Sequence, residues 1–440
     1  MIKPRVALTT LGCKVNQSET EHMARQFAAA GYECVPFESS ADVYVVNTCT
    51  VTHVADRKSR QILNAAERAN PEALVVATGC YASIVGDALG GTQRLVVRNR
   101  DKDRVVALVD GRLHRQEYPP PTFSEVEKYE DPSAAIPTGV GRTRAMVKAQ
   151  DGCDSHCTYC IIPRARGRSR SLGPEQVIQR VRTLVTEGHA EVVITGVDLG
   201  SYGEEDAELP DLGGLLQRIL DETDVRRVRV SSLEPGDFNP AWLNLWQDRR
   251  LCRHLHVPLQ AGSASVLARM ERKYSPLQFA RMVDTCRQAI PDVTITTDVM
   301  VGFPGETENE FAEGYEFIRA IRFDGMHVFK YSQRSGTRAA RMPGQVPEDI
   351  KALRSQRLRE EASSGVDRLL ARHAACRAEV VWESEQDGIW RGLTDTNVRV
   401  FGTPAEARVG LLSNVRLDAH FRDGLWGEPV QIEIPLVLVS

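Results

Sequence analysis

The sequence predicts an α/β protein in three parts: an N-terminal parallel α/β sheet domain, a central run of six β/α units, and a C-terminal small all-β barrel. Three observations carry this. Short apolar runs alternate with helically spaced segments from Arg5 to Val109, the mark of a parallel sheet covered on its faces. A second alternation runs from Ala145 to Tyr331. Beyond Arg377 short β-type runs, broken by Gly, Pro and Asn, take over. A chain of 440 residues, at about 150 per domain, has room for two or three domains.

In the first part, strands are expected at Arg5–Leu11, Val43–Asn47, Leu74–Thr78 and Leu95–Val97. Helices are expected at Gln17–Ala30, Ala55–Ala69 (stopped by Pro71) and Asp103–Val109. Residues 117–141 change character. Tyr118-Pro119-Pro120-Pro121, then Pro132 and Pro137 among acids, read as a linker or a long loop packed on a neighbour. The second part offers strands at Ala145–Ala149, Glu191–Gly196, Arg227–Ser232, His254–Gln260, Thr294–Gly302 and Met326–Tyr331. Helical segments fall between them, at Pro174–Glu187, Leu212–Glu222, Leu277–Ala289 and Glu308–Ile321. Six units suit an open partial barrel or a doubly wound sheet, since a complete barrel typically needs about 250 residues. Glu348–Ala375 is a charged amphipathic helix. The third part holds β-type runs at Glu379–Glu383, Gly388–Gly392, Asn397–Phe401, Asn414–Ala419 and Trp426–Glu433, with Ile434–Val439 as an apolar tail that can dock or pair. The expected domains are 1–116, 142–374 and 375–440, with 117–141 as linker.

Lys+Arg number 55 and Asp+Glu 59, a net charge of −4, so a nucleic-acid partner would have to be met by a local basic patch. No apolar run reaches the roughly 18 residues of a membrane helix, and Met1–Leu11 lacks the pattern of a secretory signal. No membrane partner and a cytoplasmic location are expected. In a reducing cytosol, clustered thiols read as metal ligands or redox groups, and isolated thiols as small buried hydrophobes. Of ten cysteines, Cys34, Cys252, Cys286 and Cys376 stand alone in sequence, and each is expected in the core.

Cys153, Cys157 and Cys160 follow directly on an expected strand, in Asp151-Gly152-Cys153-Asp154-Ser155-His156-Cys157-Thr158-Tyr159-Cys160. A loop this compact can aim three sulfurs at one point. Zinc would want four ligands, and His156, immediately before Cys157, is poorly spaced to be the fourth. A [4Fe–4S] cluster held by three cysteines keeps one iron open for a substrate or cofactor. This motif, at the end of the first strand of six β/α units, resembles that of the radical S-adenosylmethionine enzymes. With Ile161-Ile162-Pro163 and Arg166-Gly167 after it, it resembles more closely the methylthiotransferases among them. The resemblance implies a radical S-adenosylmethionine barrel over the six units and cleavage of S-adenosylmethionine at the open iron to a 5′-deoxyadenosyl radical.

Cys13, Cys49 and Cys80 each end an expected strand, in Leu11-Gly12-Cys13, Asn47-Thr48-Cys49 and Thr78-Gly79-Cys80. Their spacing matches one βα unit, and strand ends sharing one edge of a parallel sheet meet in one cleft. Three core thiols that happen to end strands would give the same spacing. Leu11-Gly12-Cys13-Lys14-Val15-Asn16-Gln17, Asn47-Thr48-Cys49-Thr50-Val51-Thr52 and Ala77-Thr78-Gly79-Cys80-Tyr81-Ala82 resemble the N-terminal domain of the methylthiotransferases. There the resemblance implies a second, auxiliary [4Fe–4S] cluster that carries the sulfur to be inserted.

The resemblance reaches further residues. Thr195-Gly196-Val197-Asp198 ends the second central strand, where such enzymes contact the methionine amine; this makes Gly196 and Asp198 candidates, although Asp198 stands where relatives often have His. Glu234, in Ser231-Ser232-Leu233-Glu234-Pro235, is placed for the ribose hydroxyls of S-adenosylmethionine. His254-Leu255-His256-Val257-Pro258-Leu259-Gln260-Ala261-Gly262-Ser263 and Gly302-Phe303-Pro304-Gly305-Glu306-Thr307 match the family, with no chemical role read for His256. From Arg142 to Arg180 there are eight Arg/Lys against three Asp/Glu, with Arg164, Arg166, Arg168 and Arg170 alternating. Such cations suit nucleic-acid phosphates or, at Arg166, the carboxylate of S-adenosylmethionine. Arg164 replaces a tyrosine usual in the family. The C-terminal barrel resembles the family's small RNA-binding TRAM domain, Gly392, Thr394 and Asn397 fitting its pattern. Yet residues 377–440 carry six Arg/Lys against ten Asp/Glu, so an accessory domain that positions the barrel is the other reading.

Taken over the chain, the resemblance implies insertion of C–S–CH3 at an aromatic C–H, with two [4Fe–4S] clusters, S-adenosylmethionine and an electron donor such as flavodoxin or ferredoxin. The motif around Cys13, with Ser18-Glu19-Thr20-Glu21 after it, and Phe329-Lys330-Tyr331-Ser332 with Gly336-Thr337, resembles the branch acting on threonylcarbamoyladenosine beside the tRNA anticodon. The alternatives are isopentenyladenosine in tRNA, an aspartate of a ribosomal protein or, in another class, a non-catalytic iron–sulfur electron-transfer protein.

Overall fold

A computed structural model describes residues 3–113, 143–404 and 407–430. The expected linker over 117–141 and the tail Ile434–Val439 lie outside the described residues.

The N-terminal sheet is parallel, with strands in the order β2-β1-β3-β4-β5. β1 (Arg5–Thr10), β3 (Val43–Thr48), β4 (Leu74–Thr78) and β5 (Arg94–Val96) fall where the apolar runs place them. β2 (Glu33–Val35) is missed by sequence reading because three residues carry no periodic signal. β3 and β4 are buried throughout, as expected of strands covered on both faces. Helices Lys14–Ala29 and His53–Ala69 begin earlier than their apolar spacing suggests, the second behind a Thr52 cap that accepts from the Ala55 N–H.

The central strands are β6 (Ala145–Lys148), β9 (Glu191–Thr195), β10 (Arg227–Val230), β11 (His254–His256), β12 (Thr294–Val301) and β13 (Gly325–Lys330). They pair in parallel as β6-β9-β10 and β11-β12-β13, and bridges Val228–Leu251 and Ser232–His256 join the two sets. The result is an open six-stranded partial barrel, which settles the choice against a doubly wound sheet. β11 ends earlier than expected, because Pro258 has no N–H for the ladder and Gln260 turns to φ 63°. Short β7 (Gln150–Asp151) and β8 (Arg170–Ser171) pair across the cysteine loop.

The N-terminal domain closes the barrel's open side. Ser18 Oγ donates to the Met146 carbonyl and accepts from the Lys148 N–H, which ties helix Lys14–Ala29 to β6. Beyond β13, Arg334 reaches Thr50 and Asp56. Between the two parts lies a buried charge cluster. Glu19 receives Lys102, Arg166 and Lys148, and Arg166 also reaches Asp151.

After helix Glu348–His373, strands β14 (Arg377–Gln386), β15 (Ile389–Thr394), β16 (Arg399–Gly402), β17 (Leu412–Phe421) and β18 (Gly424–Pro429) close into a barrel. It docks against the N-terminal ends of the central strands. Arg229 donates to the Thr394 carbonyl at 2.9 Å, Arg227 to that of Glu379, Arg144 to Glu383 and Arg253 to Asp395. Part of this barrel's acidity is thus a docking surface. Cys252 and Cys286 are buried as expected and Cys34 is half-buried, but Cys376 is exposed. It follows the long helix at a turn where Ala375 has φ 67°, outside either core.

Candidate active site

The two thiol triads lie at the same end of their sheets. Cys153, Cys157 and Cys160 sit in the loop between β7 and the short helix Ile162–Arg166, close to one another in sequence and fixed by neighbours. Cys153 N donates to the Gly167 carbonyl, Cys160 N to that of Cys157, and Thr158 N to that of Met270. Cys13, Cys49 and Cys80 follow β1, β3 and β4, which are adjacent in the sheet. Gly12, at φ +97°, makes their approach possible: a Cβ there would stand 2.8 Å from the Cys49 sulfur. Asn16 holds the Cys13 turn by donating to the carbonyls of Leu11 and Thr48. Asn99 links the triads, its Nδ2 lying 3.7 Å from the Cys80 sulfur and 2.8 Å from the Ala165 carbonyl in the helix after Cys160.

All six thiols are free of disulfides. Burial pushes the Cys49 thiol up to about 11 and the Cys160 thiol up to about 12. Three thiols without a fourth protein ligand are the donor set of an open-iron cluster; iron would displace the thiol protons and take thiolates. Arg272, 6% exposed, donates to the Cys157 sulfur at 3.3 Å and to Tyr274 Oη at 3.1 Å, and pairs with Glu234. Sequence reading missed Arg272, whose surroundings in the chain carry no spacing signal.

The remaining candidates spread around the Cys153 loop. Gln150 accepts from the N–H groups of Val197 and Asp198 and donates to the Gly152 carbonyl, which locks the β9 end against the loop. Gly196 leaves room for this, since a Cβ there would meet the Gln150 side chain at 2.9 Å. Asp198 accepts from Cys153 through Oδ2, while its Oδ1 is buried without a partner. Burial first, then Asp237, raises its carboxyl to about 7. An orphaned buried acceptor beside the thiols fits the ammonium of an amino acid. Glu234 gives one oxygen to Arg272, and burial raises its carboxyl despite that partner.

Arg166 does not fit its expected place. Its guanidinium, 1% exposed, donates through Nη1 to Glu19 and Asp151 and through Nη2 to Asn16 and Glu19. Four bonds occupy both terminal nitrogens, so it clamps the two domains instead of offering a free fork to a cofactor carboxylate. The basic run therefore divides. Arg168 is 90% exposed and Arg170 55%, whereas Arg166 is interior.

Inside the barrel, a hydrogen-bonded chain crosses β11, β12 and β13. His254 Nε2 and His256 Nδ1 both meet Thr296 Oγ1 at 2.9 Å, and Asp298 lies 3.3 Å from His256 and 3.0 Å from His327. Burial raises the Asp298 carboxyl, but the two imidazoles outweigh it and hold it well below the usual range.

A fold of this kind with three cysteines after its first strand is that of a radical S-adenosylmethionine enzyme. Comparison with known proteins agrees. Residues 147–318 match the radical SAM superfamily, and residues 5–97 match an uncharacterized protein family, UPF0004. A radical S-adenosylmethionine methyltransferase, TsrM, from Kitasatospora setae, solved with cobalamin and a [4Fe-4S] cluster bound, superposes with a TM-score of 0.57 over 77% of each chain at 15% identity. The threonylcarbamoyladenosine tRNA methylthiotransferase of Bacillus subtilis strain 168 is 39% identical over 94% of this chain and 93% of its own. That of Aquifex aeolicus strain VF5 is 38% identical, covering 81% and 87%. The tRNA-2-methylthio-N(6)-dimethylallyladenosine synthase of Moorella thermoacetica is 33% identical over 95% and 97%. The chain belongs to the radical S-adenosylmethionine methylthiotransferase family, in its threonylcarbamoyladenosine branch, and is an enzyme. No helix among the described residues is long and apolar enough to cross a membrane.

Proposed function

We propose that this enzyme converts N6-threonylcarbamoyladenosine beside the tRNA anticodon into its 2-methylthio derivative. One [4Fe–4S] cluster would be held by Cys153, Cys157 and Cys160, and a second by Cys13, Cys49 and Cys80. The observation that supports this reading is that two three-thiol sets lie at strand ends on either side of one domain interface, with Asn99 between Cys80 and the helix after Cys160. A single radical cluster would need only one set. When bound, the clusters and S-adenosylmethionine supply the one-electron chemistry and the methylthio group, which no acid–base pair of the protein can provide.

The chain's own residues orient and shield. Asp198 Oδ1 would take the ammonium of S-adenosylmethionine, with Gly196 and Gln150 holding that strand end in place. The free oxygen of Glu234 would take a ribose hydroxyl while Arg272 fixes its partner oxygen and leans on Cys157. Arg166 and Glu19 keep the two triads at a fixed separation, as a positioning pair. Exposed Arg168 and Arg170, near the loop, suit tRNA phosphates. The target base sits in an RNA loop, where it can be splayed out to reach the cleft. The electron donor would be a small redox protein such as flavodoxin or ferredoxin, and the setting cytoplasmic.

Mass spectrometry of tRNA nucleosides tests this, in cells lacking the gene and in the same cells with it restored. Loss of the 2-methylthio nucleoside with accumulation of its threonylcarbamoyl precursor is expected. Unchanged nucleosides would sink the substrate and direct attention to the ribosomal-protein branch.

A further inference from the structure

Lys14 is the residue after Cys13, yet it faces the interior of the central barrel. Its electrostatic neighbours come from every central strand: Arg144 at the start of β6, Glu191 on β9, Arg229 on β10, His254 on β11, Asp298 on β12 and His327 on β13. Only a position near the barrel axis brings one ammonium within range of all six strands. The N-terminal domain thus plants a cation in the lumen of the domain it covers.

This cation has nothing to hold. Among the described residues, Lys14 makes no hydrogen bond and no ion pair, whereas the charged groups around it are matched. Glu191 is taken by Arg229 and Arg227, and Asp298 by two imidazoles at one oxygen. Arg144 is occupied by Glu383. Lys14 is thus a cation in this recess that no carboxylate among the described residues pairs with directly. A half-buried ammonium without a partner is costly unless a ligand supplies the anion. The recess is open, not sealed. His327 is 72% exposed, and Phe329, on the same face of β13, is 46% exposed, a flat apolar surface on which a base can stack.

Resting on the proposed function, we propose that Lys14 is a specificity-determining residue that binds the carboxylate of the threonylcarbamoyl group, with Phe329 stacking on the adenine. The chemistry is selective. The threonyl substituent ends in a carboxylate, whereas a dimethylallyl substituent is a hydrocarbon and would leave the ammonium unpaired and desolvated. Because Lys14 adjoins Cys13, reading the substituent and placing the base near the auxiliary triad become one event.

The test is RNA binding to the full-length, anaerobically reconstituted holoenzyme without reductant, so that no turnover occurs. Three anticodon stem-loops are compared: one with threonylcarbamoyladenosine, one with its carboxylate methyl-esterified, and one with unmodified adenosine. The free acid should bind roughly tenfold or more tightly than the ester, as a charge-assisted bond in a recess warrants. Lys14→Met should erase that ratio and Lys14→Arg should restore part of it. Equal binding of acid and ester by the unaltered protein overturns the proposal without need of any variant. An acid preference that survives Lys14→Met overturns the assignment to Lys14. Failure of the substrate reading itself is separate: the nucleosides would then be unchanged when the gene is removed.

Discussion

The two thiol triads reach similar ends by opposite routes. Cys153, Cys157 and Cys160 occupy one loop, whose shape is set by turns within it and by Gly167 and Met270 beside it. Cys13, Cys49 and Cys80 follow three strands and share one sheet edge only because β1, β3 and β4 are neighbours. The first is a local structure with tertiary support. The second exists only when a sheet has formed. A functional site can thus be written into a short motif or into a strand order, and the latter stays silent until the strand order is known.

The sharpest way to break the comparison is to remove one cysteine from each triad. Cys157→Ala should abolish reductive cleavage of S-adenosylmethionine and all thiolated product. Cys49→Ala should keep cleavage to 5′-deoxyadenosine and lose only the product. Each should lower bound iron by about four atoms per chain. Iron analysis and chromatography of the nucleoside products decide the matter, and retained product in Cys49→Ala would refute the division of roles.

Next in size is Glu19→Gln at the interface between the triads. Glu19, 5% exposed, faces Lys102, Arg166 and Lys148, and its removal leaves buried cations unmatched, at a cost of about 3–5 kcal/mol. Burial pushes the Glu19 carboxyl up, but these three cations together hold it well below the ordinary 4.5. Its contribution is therefore complete above the unfolded-state value near 4.5 and is lost as pH falls through the lower folded value. Denaturation curves from pH 7 downward should show acid destabilisation in the unaltered chain and a flatter response in Glu19→Gln.

Gly12→Ala sharpens the contrast in a single atom. At φ +97°, with Cys49 at 2.8 Å from the new Cβ, it should cost about 1–3 kcal/mol and lower auxiliary iron first, with the Cys153 loop spared. The smallest effect is expected for Arg253→Ala, where the C-terminal barrel docks on the central strands. Its pair with Asp395, in which the arginine is 40% exposed, is worth about 0–1 kcal/mol, visible in thermal unfolding and silent in cofactor cleavage.

Much of this was legible from the chain. The β1, β3, β4 and β9 runs are apolar and short, so their positions were readable, as was the local motif of Cys153, Cys157 and Cys160. The resemblance carried the pairing of Cys13 with Cys49 and Cys80 where spacing alone left core thiols equally open. Arg166 misled because its neighbours in sequence are exposed cations, whereas its partners Asn16 and Glu19 lie about 150 residues away.

The sequence by itself determined the α/β alternation, the closing β-barrel and the compact Cys153, Cys157 and Cys160 motif, because periodicity and short motifs are local properties. Only the tertiary structure decided that six strands form an open barrel, that the N-terminal domain closes it, and that Lys14 enters its lumen. The physical reason is that these depend on which strands pair and which charges find partners. Such long-range choices leave little mark on the residues nearby in the chain.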